Sequence, residues 1–356
     1  MTMYKKIAIT KLLFLFSTTL LLAQQKFTIS GTIADKKNGE TLIGASVYVK
    51  DNRNIGDVTN AYGFYSITLP QGNYTLVISY MGYDNVEEQV SLAQNTKKDV
   101  VMNESGKALD EVVVKSNNNR VNIRKPEMSV NKLTIATIKK MPAMMGEVDV
   151  LKSVLQLPGV TNAQEGATGF NVRGGSVDGN LVLLDEAVVY NTSHLFGFFS
   201  VFNADVIKDL KLYKGGIPAN FGGRVSSVLD IYQKEGNNKA FHVNGGIGAI
   251  SSRLLVEGPV IKDKSSFVVA ARGSYVNIFL KLANEPNSAY FYDINMKLNY
   301  KLNDKNSLFA SGYFGKDNFN LNKAFINTYG NALFNLRWNH IFSSKVFSNA
   351  SVIYSN

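Results

Sequence analysis

The sequence predicts a mainly β protein in three parts: a small β-sandwich, a mixed α+β domain, and long strands of the membrane-crossing kind. Three observations carry this. Between Lys26 and Met102, short runs of alternating residues are separated by turn residues. From Gly169 to Ile231, short apolar runs alternate with glycine pairs. Beyond Tyr290, apolar and polar residues alternate over stretches longer than the roughly 5–6 residues of an ordinary strand.

Composition narrows the function. The chain has 356 residues, 45% hydrophobic and 11% aromatic, which excludes a disordered protein and leaves room for about two or three domains. It has no cysteine, so disulfides, cysteine-based zinc sites and thiol chemistry are excluded. The net charge of +10 raises nucleic acid as a partner, but no compact Lys/Arg cluster with interleaved aromatics accompanies it, and none is expected. No phosphate-binding loop, HExxH or GxSxG motif is present, and His194, His242 and His340 are far apart in sequence. Catalytic residues, metal and cofactor are therefore not expected.

Residues 1–23 read as a signal peptide. Lys5, Lys6 and Lys11 precede LLFLFSTTLLLA, and polar Gln24-Gln25 follow Ala23. The apolar run is shorter than the roughly 18 residues that a membrane anchor needs. The mature chain is expected to be exported.

Residues 26–102 read as a small antiparallel sandwich. FTISGTIA, ASVYVK, GFYSITL, NYTLVISY and DNVEEQVSL are its candidate strands, and Lys37-Asn38-Gly39, Pro70-Gln71-Gly72 and Met81-Gly82 its turns. LIGASVYV and TNAYGFYSITLPQGNYTLVISYMGY resemble the carboxypeptidase regulatory-like domain, which is non-catalytic as a prefix. Asn60, Tyr62 and Gly63 read as turn and core residues.

Residues 103–132 read as a linker: polar, rich in asparagine and interrupted by Pro126. One apolar island interrupts it, Leu109, Asp110, Glu111, Val112, Val113, Val114 and Lys115. A β-branched run in a solvated linker suits a strand awaiting a partner, or else a last strand of the sandwich.

Residues 133–235 read as the α+β domain. Val148, Leu151 and Leu155 share a helical face within 145–160, Glu147 and Asp149 favour its amino-terminal dipole, and Pro158-Gly159 stops it. The pairs Gly174-Gly175, Gly215-Gly216 and Gly222-Gly223 mark sharp turns.

Residues 236–356 carry the long alternation. Tyr290, Tyr292, Ile294, Met296, Leu298, Tyr300 and Leu302 interleave with mostly polar residues, as do Ala332, Phe334, Leu336 and Trp338. Such a pattern suits a tilted transmembrane strand, apolar toward lipid and polar toward a lumen. Strands are expected at 241–247, 251–259, 266–280, 290–302, 307–314, 329–342 and 346–354, with short and longer connections in alternation. An open sheet edge is not viable in lipid, so further strands are expected beyond Asn356.

In this order the pieces resemble a TonB-dependent outer-membrane receptor of the Bacteroidetes type. FNVRGGSVDGNLVLLDEAVVY and IKDLKLYKGGIPANFGGRVSSVLDIYQK are similar to motifs of its plug, and LDEVVVK to its energy-coupling (TonB) box. The resemblance implies a plug inside a 22-stranded barrel, no cofactor, and a periplasmic amino-terminal domain. It also implies active transport of a scarce nutrient, small-molecule or oligomeric: a siderophore, an oligosaccharide or a peptide. The implied partners are a TonB–ExbB–ExbD-type complex and outer-membrane lipid. A surface lipoprotein serves the starch-transporter branch, but that branch usually has a DG-containing motif where this chain has Leu184-Asp185-Glu186, and a YGSRA-like motif where it has NFGGRVSS. Arg173, Asp185 and Arg224 are the plug charges expected to face the lumen in ion pairs that reopen. A ligand-sensing signal transducer and a non-transporting adhesin are the alternative functions.

Overall fold

The computed structural model describes residues 25–105, 129–141, 147–163 and 169–356. The expected signal peptide 1–23 and the box Leu109–Lys115 lie outside them. The chain divides into two compact units, one holding most of the amino-terminal sandwich and the other the middle domain with the long strands.

The sandwich contains β1 (Lys26–Asp35), β2 (Ser46–Val49), β3 (Asn52–Val58), β4 (Phe64–Pro70), β5 (Gly72–Ser79), β6 (Val86–Leu92), β7 (Thr96–Lys97) and β8 (Val100–Met102). One sheet has the order β4-β1-β7, with β8 also on β1, and the other β3-β2-β5-β6. The fold is not purely antiparallel, because β7 runs parallel to β1. Alternate residues of both sheets meet in a core that includes Ile29, Ile33, Val47, Ile67, Leu76 and Ile78, each worth about 1.5–3 kcal/mol of burial. Asn60 makes the turn into β4: its Oδ1 accepts from the backbone N–H of Tyr62 (2.9 Å) and Phe64 (3.1 Å). Gly63 follows at φ +73°, with no room for a Cβ beside the Ile33 carbonyl.

The middle domain contains β9 (Val130–Thr134), β10 (Val160–Asn162), β11 (Phe170–Val172), β12 (Asn180–Leu184), β13 (Ala187–Val188), β14 (Ser193–His194), β15 (Phe199–Ser200), β16 (Ile207–Tyr213) and β17 (Ser227–Gln233). Its main sheet has the order β13-β12-β17-β16-β9, with β12 parallel to β17. β12 (NLVLL) is buried throughout, as expected of a parallel strand covered on both faces. β9 starts at Val130, ahead of the boundary expected at Leu133. The helix expected over 145–160 is confined to Val150–Val154. Asp149 caps it by accepting from the Lys152 N–H at 3.1 Å, so the helix starts after this residue. Glu147 is therefore outside the helix and has another role.

The long strands are β18 (His242–Ile247), β19 (Ser251–Ile261), β20 (Ser265–Ser274), β21 (Ser288–Asn303), β22 (Asn306–Leu321), β23 (Phe325–Ile341) and β24 (Phe347–Ser355). They pair in sequence order as one antiparallel seven-stranded sheet. Register sets Val243 opposite Val256 and Gly245 opposite Leu254, so the change of apolar phase there is a chain reversal.

Two expected features are corrected. The strand expected over 266–280 ends at Ser274, and a helix, Val276–Leu282, follows. The longer connection expected between the strands at 307–314 and 329–342 is instead the extended tip of the β22–β23 hairpin, turning at Asn322 and Lys323 with φ of 49° and 61°. Its polar residues hid it from an apolar-phase reading, and asparagine supplies the left-handed turn.

Candidate functional site

The wall of long strands has two faces of opposite character. On β23, Phe334, Leu336 and Trp338 are 47%, 45% and 43% exposed, whereas Asn335, Arg337 and Asn339 between them are 2%, 4% and 6% exposed. β21 repeats this, with Tyr292, Met296 and Leu298 exposed and Asp293, Asn295 and Lys297 buried. A water-soluble sheet would be the other way round. The polar face is covered by the middle domain, whose core continues into Leu255, Val268, Ala270, Tyr313 and Leu333 of the wall. The apolar face is left for lipid.

Polar groups buried at the contact must be paired, and charged groups of the middle domain find partners on successive strands. At the β12–β13 hairpin, Asp185 forms an ion pair with Lys297 of β21 at 3.0 Å. Its neighbour Glu186 lies 3.8 Å from Arg337 of β23 and accepts from Asn349 of β24 at 3.1 Å and from Ser351. Both hairpin residues have left-handed backbone, φ 46° and 72°. A two-residue turn of this type favours Asn-Gly or Asp-Gly, so Glu186 accepts backbone strain where a glycine would not.

A second contact is centred on His194. Its Nδ1 lies 2.6 Å from Asp317 Oδ2 on β22, and its Nε2 lies 3.0 Å from Asp293 Oδ2 on β21. Asp293 Oδ2 also accepts from Arg272 of β20, from Nε at 2.9 Å and Nη2 at 2.6 Å. Arg272 returns to the middle domain through Glu147, at 3.1 Å, and the Ser200 carbonyl, at 2.8 Å. The His194 ring stacks on Phe291, with centroids 4.3 Å apart. Leu195 and Phe196 follow at φ 49° and 54°, held by hydrogen bonds from their N–H groups to Asp317 Oδ1 (2.8 Å) and the Tyr329 hydroxyl (3.0 Å). Such strain persists only where surroundings over-determine it.

In the third contact, Asp205 meets Arg253 of β19 at 2.7 Å and Lys139 at 3.2 Å. Burial opposes its charge, but the two cations outweigh burial and hold the carboxyl below its usual range. These residues border a cavity of about 230 Å³.

Of the three charges expected to face a lumen, the structure brings Asp185 to the wall. Arg173 is exposed and donates from Nη2 to Ser129 Oγ at 2.8 Å, and Arg224 is exposed and donates to the Gly223 carbonyl at 2.9 Å. Neither reaches the seven strands. Gly174, Gly216 and Gly223 have positive φ, and a Cβ on Gly175 would strike Ser226 Oγ. A Cβ on Gly215 would crowd the Arg173 guanidinium, while Gly222 shows neither constraint. Sequence reasoning missed Glu147, Arg272, Asp293, Lys297, Asp317 and Arg337. The available signal was a charge in the buried phase of an alternating strand, as at Asp293 and Lys297.

Comparison with protein families gives two matches. A CarboxypepD_reg-like domain covers residues 29–114, and a TonB-dependent Receptor Plug Domain covers residues 122–227. The chain carries the plug domain of a TonB-dependent receptor. The matched domain lies on the polar face of the seven long strands. Similar solved structures include the siderophore receptor PirA from Acinetobacter baumannii (19% identity, TM-score 0.46), matched over 61% of this chain and 38% of that one. A mutant of the ferric enterobactin receptor PfeA from Pseudomonas aeruginosa, with enterobactin, is another (16%, 0.47; 64% and 40%). The chain thus spans less than half the length of those receptors. Bacillopeptidase F from Bacillus subtilis is 33% identical over 79 residues, 22% of this chain and 6% of that protein.

Proposed function

We propose that the protein actively transports a scarce nutrient, such as a siderophore, oligosaccharide or peptide, across the outer membrane, with the plug as its gate. In this reading the sandwich (26–102) lies in the periplasm, and the linker (103–132) presents Leu109–Lys115 to TonB. The plug (133–235) closes a barrel to which residues 236–356 contribute strands. The observation that supports it most is the set of ionic contacts between plug and barrel strands, including Asp185–Lys297 and Glu147–Arg272. The plug also meets the wall through apolar residues such as Leu255 and Val268, but the ion pairs can exchange partners with water once a pull admits it. The box would bind TonB as an added strand, chiefly through main-chain hydrogen bonds.

The test is deletion of residues 109–114. The reading expects loss of binding to the purified carboxy-terminal domain of TonB, and loss of nutrient depletion by energised cells with the protein still in the outer membrane. Unchanged TonB binding and unchanged depletion would contradict it.

A further inference from the structure

His194 faces an unusual set of partners. A neutral imidazole has one N–H and one acceptor nitrogen, yet both ring nitrogens lie at hydrogen-bond distance from carboxylate oxygens, Asp317 Oδ2 and Asp293 Oδ2. Ionised carboxylates only accept. Both contacts are therefore hydrogen bonds when the ring is an imidazolium, and with a neutral ring one of them sets a lone pair against an anion.

The other groups around the ring support the charge balance. β21 contributes Asp293, β22 contributes Asp317 and Tyr313, and β20 contributes Arg272, which the plug reaches through Glu147. Three carboxylates face one guanidinium, so the imidazolium supplies the second cation. Burial opposes that charge, but the hydrogen bonds to Asp293 and Asp317 outweigh burial and Arg272, and hold the His194 pKa above its ordinary value.

Tyr313 gives the alternative state a defined geometry. Its hydroxyl lies 3.4 Å from His194 Nε2, longer than the 3.0 Å to Asp293. A neutral ring keeps the shorter Nδ1–H bond to Asp317 and turns its Nε2 lone pair toward the Tyr313 hydroxyl, which donates.

We propose that His194 is a proton-operated latch between the plug and the barrel wall. With both ring nitrogens protonated it ties the strained Leu195–Phe196 segment to β21 and β22. When the Nε2 proton passes to bulk water, Asp293 is released to Arg272 alone and the attachment weakens. Because the folded-state pKa is raised, the latch contributes fully below the ordinary histidine pKa and is lost as pH rises through the higher folded value. The latch rests on plug–wall geometry and does not depend on the identity of the nutrient.

The experiment is a ¹⁵N NMR titration of the histidine side chains of the protein in lipid nanodiscs. His194→Gln identifies the His194 signal among the three histidines of this chain. The latch predicts that His194 keeps protons on both nitrogens to a pH above the ordinary histidine value. A His194 that becomes a neutral single tautomer at or below the ordinary value overturns it. Hydrogen exchange at Leu195 and Phe196 reads the consequence, corrected for the intrinsic pH dependence of exchange. Opening of these amides should increase at least fivefold as His194 titrates, and in His194→Gln it should be raised and independent of pH. Wild-type opening that ignores the His194 titration also overturns the proposal.

Discussion

Asp185 of the plug and Lys297 of the barrel wall form an ion pair at 3.0 Å with side chains only 2% and 3% exposed. Lys297 Nζ also donates to the Gln233 carbonyl at 3.0 Å, and Asp185 Oδ1 accepts from the Gln233 N–H at 3.0 Å. The pair therefore clamps the end of β17 as well as joining plug to wall. Replacing Lys297 by Met leaves a buried carboxylate without its cation and is expected to cost about 3–5 kcal/mol of plug stability. Asp185→Asn in the same chain should recover much of that, since asparagine is neutral and tolerates the left-handed turn. Denaturant unfolding of the plug, as a double-mutant cycle, measures both; additive losses would refute the coupling.

Glu186 poses a competition between backbone and side chain. Glycine there relieves left-handed strain of about 1 kcal/mol but removes the carboxylate that meets Asn349, Ser351 and Arg337. Hydrogen bonds to a charged group contribute roughly 1.5–3 kcal/mol each when buried, and this carboxylate is 23% exposed. The side chain wins: Glu186→Gly should destabilise the plug by about 1–2 kcal/mol. Stabilisation in the same unfolding assay would show that the barrel contacts contribute little.

Asp230 gives the plug a pH dependence. Burial pushes its carboxyl from 3.8 to about 6, with the Tyr232 hydroxyl donating to it at 2.7 Å. The folded chain holds this proton more tightly than the unfolded chain does. The contribution of Asp230 is thus most favourable below the unfolded value and declines as pH rises through about 6, by about 3 kcal/mol in all. Asp230→Asn keeps the acceptor for Tyr232 and removes this slope. Stability measured from pH 4 to pH 7.5 in both chains checks it, and parallel curves would contradict it.

The two faces of β23 should respond oppositely to charge. Leu336→Arg puts a cation in the lipid-facing band and should cost about 2–4 kcal/mol of barrel stability. Arg337→Leu, one residue on, should leave barrel insertion intact and loosen the plug at Glu186. Equal effects of the two on barrel assembly would count against a membrane-facing sheet.

Much of this architecture was legible in the sequence because period-two alternation is a direct projection of a sheet with two environments. Tyr292, Met296 and Leu298 announced one face of β21, and the residues between them the other. The β22–β23 tip escaped because Asp317 to Thr328 has no sustained apolar phase, and there strand pairing is carried by the backbone register and by contacts such as Asn318 to Thr328. The helix is shorter than the expected 145–160 because Asp149 caps it, which leaves Glu147 ahead of the helix and outside its first turn. Glu147 instead serves Arg272, more than a hundred residues away. Asp185 could be singled out as a charge beside a buried apolar strand. Its partner Lys297 shows itself only as a charge in the polar phase of β21, and nothing local pairs it with a plug carboxylate rather than with water. His194 looked like a scattered histidine for the same reason: its two carboxylates come from different strands.

The plug covers the polar face of a sheet whose other face is apolar and exposed, as contact with lipid requires. Single cysteines at 334, 335, 336, 337 and 338, in a chain that has none of its own, can each carry a spin label in intact outer membranes. The structure predicts strong relaxation by lipid-dissolved oxygen at 334, 336 and 338, and protection at 335 and 337. Oxygen access at 335 and 337, or no alternation along the five positions, would contradict it.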